Sequence, residues 1–324
     1  MKITILGVGA YGLALAKVFH GNGSKVTLWT KFKEEYDIIT LKRENPGILP
    51  GVKIPNDIEI TTDLKNAVSD AKIVILAVPM KAVRMVAREL KNMIFEEQIL
   101  CIVSKGIEQI TNKFMSEVVL EETEHENLCM ISGPSFAKEI AHGGSTGFVV
   151  ASFNDLSNAT VKSCLENDNI IVSTSKDLIG VQVAASSKNV FAILMGYVDS
   201  LDLNDSTRAS VLTCLVNDQR LIIEVLGGKS QTVFTYAGIG DMLLTCMSSK
   251  SRNYTFGNYL GQGLTKEAAM EKMETTTVEG LYTLESLRDL LHEKEVEVRS
   301  VDLLYDIIYN NEKIDNILKS IKNN

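Results

Sequence analysis

The fold is decided by residues 1–19, MKITILGVGAYGLALAKVF, in which Gly7, Gly9 and Gly12 stand at the spacing G-x-G-x-x-G. Lys2–Leu6 (KITIL) is short, rich in β-branched residues and stopped by Gly7, which is how a buried parallel strand reads. From residue 11 to 19, Leu15, Val18 and Phe19 recur at helical spacing among alanines. Lys25–Trp29 (KVTLW) supplies a second strand after a turn at Gly21-Asn22-Gly23. Strand, glycine turn, helix, strand is the order of a dinucleotide-binding βαβ unit. In such a unit Gly7 permits the tight turn, Gly9 lets the backbone approach a pyrophosphate, and Gly12 lets helix pack against strand. The helix N-terminus then turns its unpaired N–H groups and positive dipole end toward the phosphates. The competing reading is a secretory signal, with Lys2 before the apolar run and Ala14-Leu15-Ala16 as cleavage site. Three glycines in the run, and a domain pattern that continues beyond it, weigh against that.

A fold that prefers NAD usually ends its second strand with an acid that binds the ribose hydroxyls. Here that end reads Trp29-Thr30-Lys31-Phe32-Lys33, with no acid until Glu34. Lys31 and Lys33 can neutralise a 2′-phosphate, so NADP (NADPH) is favoured or at least admitted beside NAD (NADH). The alternative, solvated lysines at a helix start, stands equally.

With 324 residues the chain exceeds what one hydrophobic core supports, so two domains are expected. A formal net charge of -8 argues against nucleic acid as a partner, and any anionic ligand must meet locally placed cations or backbone N–H groups. Cys101, Cys129, Cys164, Cys214 and Cys246 are odd in number and scattered, which suits a reducing cytoplasm and suggests no metal site. No later run of apolar residues reads as a membrane span.

Strand-like runs at 71–79 (AKIVILAVP), 98–104 (QILCIVS), Leu128–Ser132 (LCMIS), 147–152 (GFVVAS) and Ile170–Ser175 (IIVSTS) alternate with helical ones such as 81–93. The fold class is therefore α/β: a Rossmann-like doubly wound sheet over residues 1–176, followed by a mainly α-helical domain over 177–324. Ala77-Val78-Pro79, Ser104-Lys105-Gly106 and Ser132-Gly133-Pro134-Ser135 fall at strand ends, where such sheets bind ligands. Apart from a short charged tail at 319–324, the helical half shows no low-complexity segment. Three polar islands interrupt it: Ser187-Lys188-Asn189, Gly238-Ile239-Gly240-Asp241 with Thr245, and Ser251-Arg252-Asn253. A lone lysine in an apolar helix usually snorkels to the surface; three such islands together suggest a site.

The chain resembles the bacterial-type NAD(P)-dependent glycerol-3-phosphate dehydrogenases over nearly its whole length. The resemblance rests on an ordered series: GVGAYGLALA, NPGILPG, AVP, SKGIE, SGPSFAKEIA, SKNV, TVFTYAGIGDMLLTC, SRN, LGQG and VEG. It implies hydride transfer between NAD(P)H and dihydroxyacetone phosphate, giving sn-glycerol 3-phosphate for phospholipid synthesis, in a cytoplasmic enzyme that forms a homodimer. It also implies roles. Lys188 is the catalytic acid and base, oriented by Asp241, with Lys105 a second active-site lysine near cofactor and substrate. Gly133, Ser135, Thr245, Ser251, Arg252 and Asn253 are substrate contacts, the last two holding the phosphate. Ala10, Tyr11, Ala137, Arg252 and Glu279 join the glycines and Lys31 as cofactor contacts.

The sequence departs from the family pattern at residues 199–205 (DSLDLND) and 212–215 (LTCL), where relatives carry a glycine-rich stretch and an arginine. Ser186-Ser187 replaces Ala-Leu before the lysine, Gly144-Ser145 stands where proline is frequent, and Tyr11 replaces Trp or Phe. A reductase of another phosphorylated polyol or a keto acid, and an NADPH-binding regulator without chemistry, therefore remain alternative readings.

Overall fold

In a computed structural model, every residue is described except 275, 276, 311, 313, 315, 316 and 322–324, so the tail at 319–324 lies partly outside the described residues. The chain forms two compact units: Met1–Ser104 with Met115–Leu178, and Lys105–Phe114 with Ile179–Asn324.

The first unit is built on one sheet of β1 (Lys2–Leu6), β2 (Lys25–Trp29), β3 (Glu59–Thr61), β4 (Ile73–Leu76), β5 (Ile99–Ile102), β6 (Leu128–Ser132), β7 (Thr146–Ala151) and β8 (Ile170–Ser175). Their order is β3-β2-β1-β4-β5-β6-β7-β8, parallel throughout except at β6–β7. β4, β5 and β6 are buried at every residue, as strands covered on both faces must be, and so read as unbroken apolar runs. The order reverses between β1 and β4, which is the switch point where ligands bind outside the carboxyl ends. Leu6 is in register with both Trp29 and Leu76, so Gly7 emerges at that mouth and opens onto helix α1 (Ala10–Gly21).

The second unit is helical. Its longest element, Leu178–Asp199, carries Lys188, and we refer to it as the lysine helix. By length and composition this helix could cross a membrane, but 94% of its apolar window is buried inside the protein. An all-round apolar helix of this kind is a core helix. The helices Asp205–Val225, Glu279–Glu293 and Arg299–Tyr309 contribute Leu215, Ile222, Leu284 and Leu304 to the same core. Against the lysine helix lies Arg252–Gly261, so close that a Cβ on Gly257 would strike the Ile193 carbonyl and one on Gly196 the Tyr254 carbonyl. The segment 105–114 is a small hairpin closed by an antiparallel bridge Ile107↔Phe114 and by Glu108 N–H donating to Lys113 O at 2.8 Å. Ile107 and Phe114 are both buried in the helical unit's core.

Candidate active site

In the second unit, a π-turn at Tyr236–Gly240 leads directly into the helix Asp241–Cys246. Gly238 breaks helical geometry within it, and a Cβ there would strike the carbonyls of Thr232 and Val233, so a side chain has no room. The turn delivers Asp241 into the interior, 1% exposed. There Lys188 Nζ donates to Asp241 Oδ1 at 2.5 Å and to Thr245 Oγ1 at 3.0 Å, while Lys105 Nζ donates to Asp241 Oδ2 at 2.7 Å. The Thr245 hydroxyl donates to the Asp241 carbonyl at 2.6 Å. Lys188 does not snorkel: it is buried, 7% exposed.

Burial lowers the Lys188 pKa most strongly, Asp241 opposes that, and the second ammonium, Lys105, adds to it; the result lies at about 8. For Asp241 burial alone would raise the pKa, but the two ammonium groups outweigh it and hold the carboxyl below its ordinary value. The site thus contains one carboxylate shared by two lysines, one of them poised to exchange a proton near neutral pH.

Two residues given no role from sequence belong to this cluster. Ser186, one of the departures from the family pattern, accepts from Gly106 N–H at 3.1 Å and donates to Gln182 O at 2.7 Å, pinning the residue beside Lys105 to the lysine helix. Asn189, next to Lys188 in the chain, is buried with its Nδ2 unpartnered among the described residues. The polar island Ser187-Lys188-Asn189 was the available signal for Asn189, and the Ser186-Ser187 departure before the lysine was the signal for Ser186.

Ser251 caps the helix Arg252–Gly261, its hydroxyl accepting from Tyr254 N–H at 3.3 Å. Arg252 follows, exposed, with no ion-pair partner among the described residues. Asn253 is buried; its Oδ1 accepts from Gly280 N–H at 2.9 Å, tying it to the first turn of Glu279–Glu293, where Glu279 is half-buried.

In the first unit, Gly7 has φ 117°, and a Cβ there would lie 2.5 Å from the Ala77 carbonyl oxygen. A Cβ on Gly12 would strike the Gly7 carbonyl. Gly9 is the opposite case: exposed, with no atom within 4 Å of a Cβ placed on it, so its backbone is open to a ligand. It is also the N-cap of α1, which has no side-chain cap and no acid in its first turn. Uncapped N–H groups beside a bare glycine backbone fit the phosphates of a dinucleotide. Next to them Ala10 is half-buried, and the Tyr11 hydroxyl pairs with Ser135 Oγ at 2.9 Å. Gly133 packs on β7, 3.1 Å from Phe148 Cα to its would-be Cβ, and Ala137 opens the short helix Ala137–Ala141. At the end of β2, Lys31 Nζ donates to Glu89 Oε1 at 2.6 Å and Lys33 Nζ to Asp37 Oδ1 at 2.7 Å. Both lysines are therefore paired rather than free.

A glycine cradle at the switch point of a parallel sheet, together with a helical unit carrying a buried lysine–aspartate pair, defines the class of nicotinamide-dependent dehydrogenases. Residues 2–159 match the family described as NAD-dependent glycerol-3-phosphate dehydrogenase N-terminus, and residues 177–319 match its C-terminus. The chain is 34% identical to a glycerol-3-phosphate dehydrogenase [NAD(P)+] of Fusobacterium nucleatum over 96% of its own length and 93% of the relative's. It is likewise 34% identical to the enzyme of that name from Enterococcus faecalis, over 99% and 95%. The crystal structure of glycerol-3-phosphate dehydrogenase from Coxiella burnetii superposes with a TM-score of 0.89 at 30% identity, covering 96% of this chain and 95% of that one. The chain belongs to the NAD-dependent glycerol-3-phosphate dehydrogenase family.

Proposed function

We infer that the chain interconverts dihydroxyacetone phosphate and sn-glycerol 3-phosphate with NADH or NADPH, in keeping with its family. The observation that carries this reading is the buried Lys105–Asp241–Lys188 cluster, in which Lys188 has a pKa near that of a working acid and base. When bound at Gly7, Gly9, Ala10, Tyr11 and Gly12, the nicotinamide cofactor supplies the hydride in one direction and accepts it in the other.

Lys188 gives its proton to the carbonyl oxygen as negative charge develops there, and in reverse, as a neutral amine, takes the proton from the alcohol. Asp241 holds that amine by the 2.5 Å bond and keeps it from turning away, with Thr245 as a second tether. Lys105 adds positive charge beside the same carboxylate and contacts cofactor and substrate. The phosphate is held by Arg252, whose planar guanidinium matches its oxygens, and by Asn253 and Ser251. Arg252 also reaches the cofactor, as do Lys31, Ala137 and Glu279, while Gly133 and Ser135 contact the substrate. In this reading the product feeds phospholipid synthesis, and the protein works in the cytoplasm as a homodimer.

The test is an absorbance assay of NADH and NADPH oxidation with dihydroxyacetone phosphate on wild type, Lys188→Ala and Arg252→Ala. Lys188→Ala is expected to lower kcat by about a thousandfold, the loss of an acid and its charge. Arg252→Ala should instead raise KM by about thirtyfold, the weight of a charged hydrogen bond. Tight cofactor binding by a wild type that turns over no phosphorylated ketone would overturn the enzymatic reading.

A further inference from the structure

At the end of β2, where a dinucleotide's adenosine ribose is read, Lys31 is already paired. Lys31 bonds Glu89 at 2.6 Å, and Glu89 comes from the helix Met80–Leu90 that follows β4 across the switch point. The thioether of Met85, on the same helix, lies 3.5 Å from the same ammonium. The remaining charges near the strand end are also balanced or negative. Thr30 bonds the Glu35 carboxylate, Lys33 is taken by Asp37, and Glu34 is exposed. A 2′-phosphate entering here must take Lys31 from Glu89 and then lie beside the displaced carboxylate, whereas a 2′-hydroxyl displaces nothing and can use a carboxylate as acceptor.

We propose that Glu89, through its ion pair with Lys31, is a specificity-determining residue that restrains binding of the 2′-phosphorylated cofactor and leaves the unphosphorylated one unaffected. The inference rests on the reading that the glycine cradle binds a nicotinamide dinucleotide. Both partners are solvent-accessible, with side-chain exposures of 43% for Lys31 and 36% for Glu89, so the pair is exchangeable and its effect is graded.

The experiment is direct binding of NADPH and NADH, by quenching of protein fluorescence or by calorimetry, to wild type, Glu89→Gln, Lys31→Met and the double variant. Glu89→Gln removes one charge at nearly constant shape. It frees Lys31 from its pair and is expected to tighten NADPH binding about fivefold, the weight of one exposed ion pair, with NADH altered less than about twofold. Lys31→Met should weaken NADPH about fivefold and spare NADH, and in its background Glu89→Gln should lose most of its effect. Equal shifts for both cofactors, no shift, or an undiminished Glu89→Gln effect without Lys31 would each overturn the assignment. Failure of wild type to bind either dinucleotide would instead remove the cofactor reading on which it depends.

Discussion

At Lys188 the physical problem is one carboxylate serving two ammonium groups in a site from which water is largely excluded. Burial favours the neutral amine, Asp241 favours the cation, Lys105 favours the amine again, and the balance falls at about 8. The sign of the pH dependence follows. On the proposed mechanism, below that value Lys188 carries the proton that ketone reduction consumes, and above it the amine can accept the proton that alcohol oxidation releases. The kcat/KM for glycerol 3-phosphate oxidation should therefore rise with pH through about 8, while that for dihydroxyacetone phosphate reduction falls over the same interval. Asp241→Asn removes the group that raises the Lys188 pKa, so the limb should move to lower pH in both directions, with kcat reduced about a hundredfold. Paired pH profiles of the two enzymes check this, and a limb that stays in place in Asp241→Asn would show that Lys188 is not the titrating group.

Among elements, the decisive contact is that of the lysine helix with Arg252–Gly261, because it joins the helix of Lys188 to the helix that opens on Arg252 and Asn253. Gly257 faces the Ile193 carbonyl with no space for a methyl group, and a backbone atom, unlike a side chain, cannot swing aside. Gly257→Ala should therefore part the helices and cost about 3 kcal/mol, read as a lower urea midpoint at unchanged slope. A change below about 0.5 kcal/mol would mean that the contact relaxes freely. This close approach was not legible in the sequence, where Gly196 and Gly257 are two glycines in unrelated helices. What was legible depended on local repetition: KITIL before Gly7, KVTLW and AKIVILAVP each declare a strand by β-branched runs ended by a turn or proline. β3, only Glu59–Thr61, is too short to declare itself, and the reversed direction of β7 is fixed by pairing, which no local pattern encodes. At the site, the residue types of the three polar islands were visible, but the partners were not. Lys188 meets Asp241 across 53 positions and Lys31 meets Glu89 across 58, distances that only the fold closes.

For the whole molecule, the chain enters the helical unit twice, first for residues 105–114 between β5 and the helix Met115–Thr123, and finally from Ile179 onward. The first visit is brief yet carries Lys105, and Ile107 and Phe114 anchor it in the helical core, 0% and 6% exposed. The placement of Lys105, which bonds Asp241, is therefore linked to the packing of a core otherwise built of residues more than 60 positions later. Ile107→Ala leaves a cavity in that core and should cost about 3 kcal/mol. The loss should be local: amide hydrogen exchange should quicken in the lysine helix and in Asp205–Val225, which share the cluster, while β1, β4 and β5 keep their protection. Activity should fall along with that protection, since Lys105 loses the anchor two residues away. Uniform loss of protection across the sheet strands would show that the two units open together and that this hairpin is not the helical unit's own.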